Sequence, residues 1–452
     1  MKKKKFILWL LIGVPVVCTT LFLAFMGYCF TQPEFYTQVG QQLRNEREAP
    51  KNDKWALWFY RKGANMGDAA AQYALATFYY YGRGVKKDYE TALFWYQKAA
   101  EQGRVDAQYG VGWMFENGCG CSPDDSKAFQ WYKKAAEQGH INAQIEVGYS
   151  YSSGSGVEKN PTNAVIWYHK AAEQNSAEAQ GRLGHRYYLG EGVPQDYTEA
   201  AKWFEKSAKQ GKVKAQNWMG HLFYFGEGVQ QNYTNAFLWY SKAAEQNDSA
   251  AQYNLGELYR TGLGTPQSQT NAIFWYQRAA DQGHESASLF LARCYGKGRG
   301  VPQDSDKALA LCLPFAKKGN AEGQYLVGLS YMYGRGVEQS FSEAIRWFER
   351  SLEQQYDQTY QFYAWLLATC ENGQYRDGEK AVRLAKKAMA LFPNDWTTTA
   401  ILAAAYAENG QFDLAIETQK KAVELTDEAD QETALKQLQS YENHQPWRES
   451  YE

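Results

Sequence analysis

The sequence carries almost no net charge, few cysteines and no catalytic signature, and each absence removes a class of function. Lys and Arg number 48 against 50 Asp and Glu in 452 residues, so the chain lacks the basic patch expected of a nucleic-acid binder. Its seven cysteines follow no regular spacing. Cys18 and Cys29 fall in an apolar run, and Cys119-Gly120-Cys121 is too close a pair for a relaxed zinc site and lacks partners. Cys294 and Cys312, on the two helices of one unit of the pattern described next, are the pair whose placement would allow a bridge in an oxidising compartment. His284-Glu285 lacks the second histidine of a zincin helix, and no Gly-x-Ser-x-Gly elbow occurs. No metal or cofactor is expected, and the chain reads as a non-enzyme.

What the sequence does contain is a repeat. Gly82-Arg83-Gly84-Val85 returns at an interval of 36 residues, with glycine pairs at 82/84, 118/120, 154/156, 190/192, 226/228, 262/264, 298/300 and 334/336. A fixed period of this length marks a solenoid, in which each unit is one supersecondary element stacked on the next. The same period accounts for Gly296-x-Gly298-x-Gly300, which otherwise looks like a phosphate loop. Before each loop, small, apolar and aromatic residues recur three and four apart, as in Val111-Gly112 and Phe115 or Leu183-Gly184 and Tyr187, which places them on one helix face. After each loop stands a cap residue: Asp88, Asp124, Asn160, Asp196, Asn232, Ser268, Asp304 or Ser340. An alanine follows four residues later in all eight copies, from Ala92 to Ala344, and then an aromatic pair such as Trp131-Tyr132 or Trp275-Tyr276. Gly103, Gly139, Asn175, Gly211, Asn247, Gly283 and Gly319 close the second helix with residues that tolerate the left-handed conformation. Each unit is therefore predicted to be helix, loop, helix, turn.

The run Ala107-Gln108 through Gly139, with Val111-Gly112, Phe115, Gly118, Gly120, Asp124, Ala128 and Trp131-Tyr132, resembles the Sel1-like repeat, a relative of the tetratricopeptide repeat. The resemblance implies an all-α fold: a right-handed α-solenoid of paired antiparallel helices that works by binding. Cysteine-rich relatives carry a regular Cys pair in every unit, which this chain lacks.

Six segments follow. Residues 1–30 read as a signal anchor, 31–50 as a polar linker, 51–67 as an N-terminal capping half-repeat and 68–355 as eight Sel1-like repeats. Residues 356–425 resemble two tetratricopeptide-like repeats, through Leu402-Ala403, Tyr406, Gly410 and Ala415, and 426–452 are a capping helix and loose tail. Lys2–Lys5 precede the apolar run Phe6–Phe30, and no positive residue follows it until Arg44. That run is longer than the apolar core of a secretory signal and long enough to span a bilayer. The lysines place the N-terminus in the cytoplasm. The expected location is thus the bacterial inner membrane, single-pass, with a periplasmic repeat array, or the periplasm alone if the segment is cleaved.

The side chains that the repeat does not dictate are the functional candidates. In a tetratricopeptide-like alignment the concave face is lined by three first-helix registers, occupied here by Tyr73, Tyr109 and Tyr253, by Trp113, Tyr149, His185 and His221, and by Tyr188 and Tyr224. An aromatic groove of low charge suits a protein or peptide partner, because such rings offer large contact area with a polar tip. The chain reads as a non-enzymatic interaction scaffold on the periplasmic side of the membrane. Two other readings stay open: a glycan or peptidoglycan binder, which the aromatic groove permits, and a β-lactam-binding or hydrolysing enzyme, which resemblance to the cysteine-rich Sel1-type proteins implies. For topology, a reporter active only outside the cytoplasm and fused after Glu452 is expected to be active, with the protein staying on the membrane through a high-salt wash. A soluble product with a shortened N-terminus identifies a cleaved signal instead.

Overall fold

The computed structural model describes residues 31–45, 49–427 and 429–451. The apolar run 6–30 lies outside the described residues, and among those described no helix is long and apolar enough to cross a membrane. The chain divides between Gln231 and Asn232 into two units. Unit 1 contains α1 (Pro33–Asn45), α2 (Ala49–Asn65), α3 (Ala69–Tyr81), α4 (Tyr89–Glu101), α5 (Val105–Asn117), α6 (Asp125–Glu137), α7 (Ile141–Ser153), α8 (Pro161–Glu173), α9 (Ala177–Leu189), α10 (Tyr197–Lys209) and α11 (Val213–Phe225). Unit 2 contains α12 (Tyr233–Glu245), α13 (Ser249–Thr261), α14 (Gln269–Asp281), α15 (Glu285–Lys297), α16 (Ser305–Lys317), α17 (Ala321–Tyr333), α18 (Phe341–Glu353), α19 (Asp357–Thr369), α20 (Gly378–Leu391), α21 (Trp396–Glu408), α22 (Phe412–Leu425) and α23 (Gln431–Glu442). Both are stacks of helix pairs, with odd-numbered helices as first helices and no strand among the described residues.

Local chemistry explains the uniform helix length. Each of the eight cap side chains accepts a hydrogen bond from a backbone N–H in the first turn of the second helix, as Asp124 does from Lys127 and Ser340 from Glu343. Such caps satisfy donors that the helix leaves free. At the other end the chain turns through a left-handed residue, Gly139 at φ 88° or Asn175 at 62°.

Two glycines show how tightly the units nest. Gly148 on α7 faces the ring of Tyr168 on α8, and a Cβ there would stand 2.6 Å from it. Gly156, the second loop glycine, has φ 70°, and a Cβ would lie 2.1 Å from the Asp125 carbonyl oxygen. The loop of one repeat thus lies on the N-terminus of the preceding second helix.

The opposite end is tied by glutamine. Gln144 on α7 is 4% exposed. Its Nε2 donates to the Ala136 carbonyl at the end of α6 (3.2 Å), and its Oε1 accepts from Gln174 after α8 (2.8 Å). One buried amide therefore joins three helices across a repeat boundary. Gln72, Gln108 and Gln180 repeat the arrangement in unit 1, Gln252 and Gln324 in unit 2.

Both ends depart from expectation. The 31–50 segment is not a linker, because Pro33–Asn45 is helical and pairs with α2. Gly40 lies one period before Ala76 and meets Tyr60 as Gly148 meets Tyr168, with a Cβ distance of 2.6 Å. Residues 51–67 therefore belong to the second helix of a complete pair, not to a half-repeat. The tail after Glu442 is not loose either. Without a glycine loop after α19, its last carbonyls are satisfied otherwise: Glu449 N–H donates to Thr369 (3.0 Å), and Arg376 to Cys370 (2.9 Å). Arg448 pairs with Glu408 (2.7 Å), and the buried Tyr451 hydroxyl lies 2.6 Å from that of Thr369. Cys294 and Cys312 are both buried free thiols, so the bridge between them is not formed.

Gln144→Leu removes both amide bonds while keeping the volume apolar, at a cost of about 0.5–1.5 kcal/mol for each bond lost. The expected result is a lowered urea midpoint, with amide exchange accelerated chiefly in α6–α8, since repeats couple to their neighbours. Unchanged protection in those helices would contradict the role assigned to the ladder.

Candidate functional site on the first-helix faces

The three sequence registers prove physically different. Tyr73, Tyr109 and Tyr253 are half-buried seams between repeats. Each packs on the second-helix tyrosine of its own repeat, at 5.5 Å from Tyr96, 5.5 Å from Tyr132 and 5.7 Å from Tyr276. Each also meets the residue that starts the next first helix: the Arg104 guanidinium lies 4.7 Å over Tyr73, and His140 and His284 stack on Tyr109 and Tyr253 at 4.7 and 4.8 Å. Trp113 meets Tyr80 edge-on at 5.6 Å, whereas Tyr149 is 45% exposed. Tyr224 lies against Phe225 at 4.8 Å.

His185, Tyr188 and His221 come together around a residue the registers omit. Trp218 on α11 stacks on Phe204 with ring planes 7° apart, and lies 5.6 Å from His185, 4.7 Å from Tyr188 and 5.3 Å from His221. Burial lowers the pKa of both histidines, and burial with the Glu227 carboxylate pushes the Tyr188 hydroxyl up to about 12. Where other repeats carry Tyr109 or Tyr253 this one has Gly181, which helps to line a pocket of about 610 Å³ between α9, α10 and α11. Its rim is ionic, with Glu178 bound to Arg182 (2.9 Å) and Lys212 (3.1 Å).

Unit 2 presents a larger pocket of about 720 Å³, bounded by the first helices α19, α21 and α23. Phe362, Trp365, Phe392 and Trp396 supply aromatic walls, Gln358 and Gln437 amides, and Asp395 and Glu449 carboxylates, with no cation in the lining. Gln361 donates to Thr398 (2.5 Å), and the Trp447 indole N–H to Glu449 (3.1 Å). Sequence reasoning missed this pocket because the glycine pair disappears after Gln355. The 36-residue count could have found it: carried onward, it puts Trp365 in the register of Trp113 and Phe362 in that of Trp218.

The Sel1 repeat model matches ten segments: 39–68, 69–103, 105–140, 141–176, 177–212, 213–248, 249–284, 286–320, 321–356 and 363–391. The chain belongs to the Sel1 repeat family. The first and last matches extend the Sel1 array beyond the eight repeats read from the glycine pairs, into α1–α2 and α19–α20. This Sel1-repeat protein is similar to the crystal structure of a protective antigen present in uropathogenic Escherichia coli strains that displays an SLR fold. The two share 27% identity over 96% of each chain, with a TM-score of 0.74. A Sel1 repeat protein from Oxalobacter formigenes is 28% identical over 70% of this chain and 94% of its own, with a TM-score of 0.57. No curated protein matches the chain.

The seam histidines predict a pH response for the Sel1 array. His140 and His284 cap their helices through Nδ1, accepting from Ala143 (3.1 Å) and Ala287 (3.4 Å), which requires an unprotonated acceptor. Burial lowers both pKa values against the opposing pull of Asp106 on His140 and of Asp248 and Glu285 on His284. Above about pH 6.5, the ordinary histidine value, both states are neutral and the stabilisation is complete. As pH falls, the unfolded chain takes up protons first, and stability is lost through the lower folded-state values. Thermal midpoints should therefore drop on acidification from about pH 7 to 5. The double variant His140→Asn/His284→Asn, which keeps a capping side chain as Asn320 does naturally, should drop measurably less.

Proposed function

We propose that this Sel1-repeat protein is a non-enzymatic scaffold that holds an extended segment of a protein partner along its first helices. The observation that carries the reading is the 720 Å³ pocket, where two tryptophans and two phenylalanines on or beside first helices stand unfilled among amides and carboxylates. Rings of this kind serve as anchors because they bury much area with little loss of rotamer freedom. Two carboxylates without a cation favour a segment carrying Lys or Arg beside an apolar residue. The Trp218 pocket of unit 1, with Phe204 and a mixed-charge rim, gives a second place for such a segment. The proposed location is the periplasmic face of the inner membrane, on the strength of Lys2–Lys5 and the apolar run 6–30. A glycan reading draws on the same pocket, since paired tryptophans with amides and carboxylates also suit a sugar ring.

Proximity labelling from the periplasmic side should identify a protein whose capture by the purified chain depends on the pocket. Trp365→Ala/Trp396→Ala is expected to weaken capture by about tenfold or more, each anchor contributing more than about 1 kcal/mol, with helix content by circular dichroism retained. Glu137→Ala and Glu245→Ala, on exposed second-helix positions, should leave capture unchanged. Equal binding by the tryptophan variant would refute the assignment. Loss of binding to purified peptidoglycan sacculi, and not to a protein, would establish the glycan reading.

A further inference from the structure

One repeat of unit 2 lacks the ring that the architecture elsewhere demands. Second helices place Tyr or Phe against the small residue of the first helix, as Tyr276 against Gly256 and Phe348 against Gly328. In α16 that position is Cys312, which is 1% exposed and faces a repeat whose small residue is Ala292. The first helix offers no replacement, because Gly296 stands in the register of Tyr188, Arg260 and Met332, and a Cβ there would meet nothing nearer than Ala308 at 3.8 Å. The glutamine ladder is interrupted in the same repeat, with Ser288 and Lys318 in place of the pair.

The result is a half-open pocket of about 80 Å³, walled by Ala292, Ala308, Cys312, Leu326 and Leu329. Arg293, Lys297 and Arg335 also line it, with no acidic residue among the lining side chains. Arg293 is occupied by Glu322 at 2.8 Å. Arg335 lies 4.7 Å over the Tyr333 ring, and neither it nor Lys297 forms an ion pair among the described residues. Burial, with the like charges of Arg299, Arg293 and Arg335, holds the Lys297 ammonium below the usual lysine range. Burial pushes the Cys312 thiol up to about 12, so it is a wall and not a nucleophile.

We propose that this pocket binds a small aliphatic carboxylate, whose hydrocarbon end takes the place of the missing ring and whose carboxylate meets Lys297 and Arg335. Size limits the aliphatic group to about three carbons, because a cavity of about 150 Å³ holds the six of benzene and this pocket offers about 80 Å³. Charge selects the carboxylate, because an anion relieves the repulsion among cations that have no acidic partner. A ligand that fills the pocket stabilises the chain through linkage to the folded state.

The test uses the full chain and 2-methylpropanoate as probe, followed by calorimetry and ligand-observed NMR. Saturable binding in the millimolar range or tighter is expected. The uncharged analogue 2-methylpropan-1-ol and the larger ring acid benzoate should each bind about tenfold more weakly or worse. Lys297→Gln should weaken 2-methylpropanoate by a similar factor. Cys312→Tyr/Ala292→Gly, which restores the pair present at Tyr276 and Gly256, should fold and abolish binding. Gly296→Met fills the same space from the first helix and checks the result independently. Absence of saturation in folded wild type, equal binding of the alcohol or benzoate, or full binding by either filled variant would overturn the proposal.

Discussion

The buried glutamine between repeats is the interaction on which the rest of the array depends. A polar side chain in an apolar seam is costly unless every polar atom finds a partner. Gln108 and Gln144 meet that demand by donating to the last turn of one second helix and accepting from the glutamine that ends the next. The amide therefore fits only when three helix ends arrive in register. Apolar contact between alanines tolerates sliding; this contact does not. At the other end of each pair the second loop glycine lies on the backbone of the preceding second helix, as Gly156 does on Asp125. Where both devices are present, as at Gln144 and Gly156, stacking is specified at both ends of the helix pair by groups that tolerate little displacement.

Because the ends carry register, the middles of the first helices are free to vary, and function can be written there. The contrast between Tyr109 and Gly181 illustrates the point. Tyrosine at that position closes the seam by stacking on His140, whereas glycine helps to line a pocket beside Trp218 without disturbing the ladder, since Gln180 still bonds to Ala172 and Gln210. The repeat at Cys312 goes further. It loses both the ring and the glutamine pair, and the space left behind is a pocket with a basic lining.

The C-terminal repeats solve the same problem by other means. With no glycine loop after α19, the carbonyls of Ala368, Thr369 and Cys370 turn to Arg448, Glu449 and Arg376. The tail that supplies two of these donors also lends Glu449 to the aromatic pocket. Packing of the end and construction of the candidate site are therefore one structural event.

The period, the helix boundaries, the eight caps and the left-handed turns were legible in the amino-acid sequence, because each rests on local chemistry: a side chain accepting from its own first turn, or a backbone angle that favours glycine or asparagine. The pairing of α1 with α2 was legible in principle from Gly40, but no glycine pair marked that repeat. What only the tertiary structure decided was which aromatics are seams and which line pockets. Tyr73, Tyr109 and Tyr253 are spent on neighbours brought beside them by stacking, while His185, Tyr188 and His221 converge on Trp218, a residue in another register. The pocket around Trp365 and Trp396 likewise needs three helices and the returning tail, segments far apart along the chain. Local preferences set the elements; the placement of side chains across repeat boundaries depends on contacts that no single repeat contains.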